Sequence, residues 1–150
     1  MRKWLESDNE KTPKDIGAEL KNRLLQGLGI EDLDFTFAEM SHTKIQNADF
    51  RYGCLRHVRF VGCNLSECRF DKADLRDANL QRTVLKSTCF QHAQMDNIRL
   101  ESAQLIKADL QDATLRRAKM AMTKLQYANL NNTDLQFANL EGADLRWASL

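Results

Sequence analysis

Residues 128–150 read Ala-Asn-Leu-Asn-Asn-Thr-Asp-Leu-Gln-Phe-Ala-Asn-Leu-Glu-Gly-Ala-Asp-Leu-Arg-Trp-Ala-Ser-Leu, with leucine at 130, 135, 140, 145 and 150. The same beat runs back through most of the chain. Every residue whose number is a multiple of five, from Ile30 to Leu150, is Leu, Phe, Met or Ile, 25 positions without an exception. The residue two before each is small: of the 24 from Leu33 to Ala148, 13 are Ala, five Thr and two Cys. Asp or Asn recurs between them, as in Ala73-Asp74-Leu75, Ala108-Asp109-Leu110 and Ala143-Asp144-Leu145. A period of five matches neither the 3.6 of a helix nor the 2 of a strand. On a straight helix successive leucines would rotate by about 140° and scatter around the surface. A right-angled coil brings them back to one axis. Each pentapeptide makes one side of a square, and four sides, or 20 residues, close a turn. The large residue and the small one two before it point inward, because two large side chains per side would not fit. Successive turns stacked ~4.8 Å apart hydrogen-bond as a parallel sheet.

The Ala-(Asp/Asn)-Leu-X-X register over residues 31–150 resembles that of the pentapeptide-repeat proteins. The resemblance implies an all-β fold, a right-handed quadrilateral β-helix of about six 20-residue coils, often with an N-terminal cap. The handedness comes from the resemblance alone. The chain accordingly divides into a flexible arm at 1–12, a capping α-helix at 13–29 and the repeat at 30–150. Thr12-Pro13-Lys14-Asp15 has helix-start spacing. Ile16, Leu20, Leu24 and Leu28 form one apolar stripe, and Gly27 and Gly29 supply a stop.

Composition narrows the function. The 150 residues carry 22 Lys+Arg and 21 Asp+Glu, a formal charge of +1, so bulk attraction to nucleic acid is not expected. No apolar run approaches the ~20 residues of a spanning helix, and Glu6, Asp8 and Glu10 interrupt any signal-like start. Four cysteines without a signal segment point to a reducing compartment, the cytoplasm.

Residues 20 apart become vertical neighbours, which turns the sequence into a surface map. Phe50, Phe70 and Phe90 fall in one inward column and read as core. Cys63 and Cys68 take the small inward position, while Cys54 and Cys89 lie outward on different sides. His42, His57 and His92 fall on separate corners, so no metal set converges. Asp34, Asp49, Asp74, Asp109, Asp134 and Asp144 occupy the repeat's own polar position, where a short side chain bonds turn backbone rather than a substrate. The expectation is a protein that is not an enzyme, with no cofactor and no small-molecule substrate.

Two surface features remain. One is a basic strip: Arg56, Arg76 and Arg116 in one column, Arg117 beside them, Arg59, Arg99 and Lys119 just around the turn, and Arg82 along the same side. Asp77, Asp96 and Glu101 interrupt it. It reads as a solvated face of local ion pairs, or as a docking strip for an acidic partner, a polyanion or a phosphate backbone. The other is apolar: Val84, Ile106, Met122, Tyr127, Phe137 and Trp147 stand outward, concentrated toward Leu150. With Leu150 itself, Met122, Tyr127, Phe137 and Trp147 form a C-terminal interface suited to a homodimer, as the family resemblance also implies. The leading expectation is a non-catalytic protein-interaction scaffold whose protein partner the sequence does not name. The alternatives are a DNA-imitating protector of type II topoisomerase (gyrase), drawn from the resemblance, and the recognition domain of a larger secreted effector.

Overall fold

The computed structural model describes residues 34–43 and 45–150. The expected arm at 1–12 and capping helix at 13–29 lie outside the described residues. From Asp34 onward the chain is a four-faced coil in which residue i pairs in parallel with residue i+20. Face one carries the series Asp34, Cys54, Asp74, Gln94, Thr114 and Asp134, and face two Glu39, Arg59, Asn79, Arg99, Lys119 and Asn139. Face three runs Asn64, Val84, Gln104, Lys124 and Asp144, and face four Asp49, Arg69, Cys89, Asp109, Asn129 and Ser149. Each side is only three residues long before the chain turns, so pairing takes the form of single-residue rungs rather than continuous strands.

The corners explain the spacing of five. The carbonyl of Phe35 accepts from the Ala38 N–H, and the same bond closes corner after corner down to Leu145 and Ala148. The third residue of each turn has positive φ, from Phe37 to Trp147, while the residue before it does not, which is the signature of a type II turn. Twenty-one of these residues are not glycine. Such a conformation costs an ordinary side chain of order 1 kcal/mol or more, and persists only where the surroundings over-determine it. Here they do: the strained residue donates its own N–H to the next coil, as Phe37 does to the Arg56 carbonyl at 2.9 Å.

The interior follows the arithmetic. Phe35, Met40, Ile45 and every fifth residue on to Leu130 are buried, with Ala, Val, Cys, Ile or Thr between them. Phe50 stacks on Phe70 at 4.8 Å and 2°, and Phe70 on Phe90 at 5.1 Å and 8°. Phe60 meets two of these rings edge-on. The inward threonines do more than fill space. Thr83, Thr88, Thr123 and Thr133 donate Oγ1 to the carbonyl 23 residues back, at 2.9–3.0 Å. Cys63 and Cys68 sit at the same position and point their thiols at the Met40 and Ile45 carbonyls, so they act as weak threonines rather than only as apolar fillers. Burial pushes their thiols up to about 11 and about 12, far from a reactive thiolate. Over residues 131–150 the pattern is unchanged but the sealing is incomplete: Leu135, Leu140 and Leu145 are partly buried, and Leu150 is 78% exposed.

Candidate interaction surface

The outward polar position organises the surface. All ten Asp and Asn residues in the described rungs accept a bond from the backbone N–H two residues on, at 2.9–3.2 Å. These carboxylates are therefore structural in their first role. Where Asp is followed two residues later by Arg, the same group takes a second. Arg51 on Asp49, Arg76 on Asp74 and Arg146 on Asp144 make ion pairs of 2.5–2.7 Å through Nη2, with Nε also bonded to the carboxylate. This Asp-x-Arg spacing is a signal that column arithmetic alone overlooks, since it runs along the chain and not up the stack. The Arg146 hydrogen bond holds the Asp144 carboxyl down at about 2. Burial pulls Asp74 upward, but the bonds from Arg76 outweigh it and leave its carboxyl below the usual range.

The basic strip is consequently divided. Arg76 is paired with Asp74, Arg59 with Glu39 at 2.7 Å and Arg116 with Asp134 at 2.5 Å. Arg56 reaches the shared Asp74 only at 4.0 Å, and Arg99 lies 3.7 Å from Glu101. Among the described residues no carboxylate pairs with Arg82, Arg117 or Lys119. The residues lie on the corner between faces one and two and on face two itself, with Arg82 on the following corner.

Met122, Tyr127, Phe137 and Trp147 occupy the outward, positive-φ position of the corners, whereas Val84 is a rung residue and Ile106 precedes the positive-φ Lys107. Phe137 is 83% exposed and Trp147 and Met122 are each 65% exposed. Tyr127 stacks under Trp147 at 4.9 Å and 10°, and Arg146 lies over the indole. Val84 and Ile106 are only partly exposed. Phe37 and Tyr52, near the first described rungs, are exposed at the same kind of corner. Phe37 lies flat on the His57 ring and Lys72 sits over Tyr52. A corner residue points away from the axis whatever its polarity, which is why these side chains stay out of the core. Among the described residues no group of His, Cys, Asp or Glu could hold a metal, and no helix is long and apolar enough to cross a membrane.

Comparison with known proteins bears on this geometry. A family model described as a pentapeptide repeat region matches residues 54–130, and one described as pentapeptide repeats (8 copies) matches 123–150. No curated protein shows significant similarity. Among solved structures, the chain is similar to the pentapeptide-repeat protein Rfr23 from the cyanobacterium Cyanothece 51142. The TM-score is 0.61 at 19% identity, over 83% of this chain and 86% of that one. It is similar as well to a trypsin-treated variant of QnrB1, described as a plasmid-mediated fluoroquinolone resistance protein. There the TM-score is 0.56 at 21% identity, over 83% and 72% of the two chains. At these identities the likeness speaks for the fold, a right-handed β-helix. The matched repeat spans more than half the sequence, and the chain belongs to the pentapeptide-repeat family.

Proposed function

We propose that this protein is a non-catalytic interaction scaffold that self-associates through its last coils and presents the strip Arg56–Lys119 to an acidic protein partner. The observation that carries the reading is the set of large apolar side chains left in water over residues 122–150. Met122, Tyr127, Phe137 and Trp147 stand at outward corners and each expose more than half of their surface. Exposed aromatic and apolar surface rimmed by polar residues is what protein interfaces are made from. The absence of a catalytic role is supported by what the acidic groups do, since they bond turn backbone and pair with arginine. Burial pushes the Cys89 thiol up to about 11, which suits no nucleophile.

A DNA-imitating protector of gyrase is not favoured. That role asks for a continuous acidic rod, whereas here Asp49, Asp74, Asp134 and Asp144 are neutralised by arginines. The test of the scaffold reading is solution mass by light scattering across concentration, on the wild type and on a variant carrying Trp147→Asp and Leu150→Asp. A dimer that the two substitutions split is expected. A wild type that stays monomeric at every concentration would overturn the self-association.

A further inference from the structure

Four of the nineteen described rungs carry two charged residues. In three the signs are opposite: Glu39 with Arg59, Asp49 with Arg69, and Lys124 with Asp144. The fourth sets Arg99 directly against Lys119. Like charges facing across a parallel rung repel, and they destabilise the pair relative to any neutral choice. The repeat had neutral choices to hand, because Asn79 and Asn139 flank the two on the same face. Arg56 and Arg76, another stacked basic pair, share the carboxylate of Asp74. Arg99 has only Glu101 at 3.7 Å, and neither Lys119 nor its neighbour Arg117 has a carboxylate partner among the described residues. In the corner columns Arg117, two residues before Lys119, stands between Asn97 and Phe137, with Asp96 lining the same recess but forming no ion pair with it.

We infer that Arg99, Arg117 and Lys119 form the anion-binding point of the basic strip, built to receive carboxylates of an acidic segment of a protein partner. The inference rests on the interaction-scaffold reading and narrows it to three residues. An unshared cation cluster that strains its own rung is relieved when an external anion arrives, which is how surface charge gives specificity to association. A nucleic acid fits less well. It must meet phosphates over many successive contacts, and here Asp77, Asp96 and Glu101 stand within the strip and would face the neighbouring phosphates.

Two measurements on the full chain test this. The first needs no partner: thermal unfolding of Lys119→Gln against wild type at low and high salt. The variant is expected to melt higher at low salt, with the gain shrinking as salt screens the Arg99–Lys119 repulsion. An unchanged or lower melting temperature would overturn the inference. The second is binding of a labelled peptide of alternating glutamate and serine, with a duplex DNA of similar length as comparator. Replacing Arg117 and Lys119 together by Gln should weaken peptide binding by about tenfold or more. Replacing the internally paired Arg51 and Arg146, which lie outside the strip, by Gln should change it less than about twofold. Equal losses in the two variants would sink the three-residue site while leaving an acidic partner in place. Tighter binding of the DNA, lost in the Arg117/Lys119 variant, would make the strip a nucleic-acid surface instead. A wild type that binds neither probe overturns the site and the acidic-partner reading together.

Discussion

The coils between Ile45 and Leu130 and the last coil, residues 131–150, are written in one code and live in different environments. Both repeat a small residue, a short polar residue and a leucine or phenylalanine, and both turn through positive-φ corners. In the first region the large inward side chains are at most 2% exposed; in the second Leu135, Leu140 and Leu145 are partly open and Leu150 is mostly in water. An inward position in a solenoid is only half buried by its own coil. The coils above and below complete it, so each unit's stability is shared with its neighbours. The outward corners of residues 131–150 carry Phe137 and Trp147.

That contrast can be broken most severely in the middle. Phe70→Ala removes the central ring of the Phe50–Phe70–Phe90 stack, and should cost about 3–5 kcal/mol in urea unfolding. Leu145→Ala, at an equivalent inward position in the last coil, should cost only about 1 kcal/mol, because less area leaves the core. Similar losses at both sites would mean that something already covers the last coil in solution, and that loss at Leu145 should then depend on protein concentration. A smaller effect comes from the inward hydroxyls. Thr88→Val keeps the shape and deletes the bond to the Leu65 carbonyl, for a loss of about 1 kcal/mol by the same measurement. Thr133→Val, whose bond to Leu110 is partly open to solvent, should lose less.

The smallest expected effect concerns acid. The folded Asp144 carboxyl titrates at about 2 against an ordinary 3.8, chiefly because of its bond from Arg146. A lowered carboxyl contributes stability that is in place above pH 3.8 and is lost as the pH falls toward 2. Asp144→Asn should keep the turn bond to the Arg146 N–H, as Asn64, Asn79, Asn129 and Asn139 do at their own corners. The variant should therefore melt almost as wild type near pH 2 and somewhat lower near pH 6. A variant equally displaced at both pH values would show that the turn bond, and not the ion pair, was lost.

Much of this is legible in the sequence. The 20-residue columns place Phe50 under Phe70 and Tyr127 under Trp147, and the stacked rings lie where that register requires. The structural role of the Asp/Asn position was legible too, because a short acceptor before a turn has few other uses. The basic strip was legible only as a list of residues. Sequence spacing lined up Arg76 with Arg116, yet each is spoken for by a different carboxylate, one two residues back and one 18 ahead. Which long side chain reaches which acid depends on rotamers and on the angle of a corner, and the period of five carries neither. Phe37 and Tyr52 hold the same outward corner position as Tyr127 and Phe137, so the period of five places them in solvent as well.

What the sequence by itself determined is the register: the beat of five, the inward and outward sets, and the vertical neighbours 20 apart. Side-chain volume and turn chemistry enforce these locally, and each repeat confirms the last. The tertiary structure alone decided which charges cancel and which inward leucines are sealed. Ion pairing is settled by distances of a few ångströms between flexible groups, and burial by whatever stacks above and below. Arg99 facing Lys119 belongs to both accounts: the register puts them opposite, and only the fold shows that, among the described residues, no acid comes to Lys119.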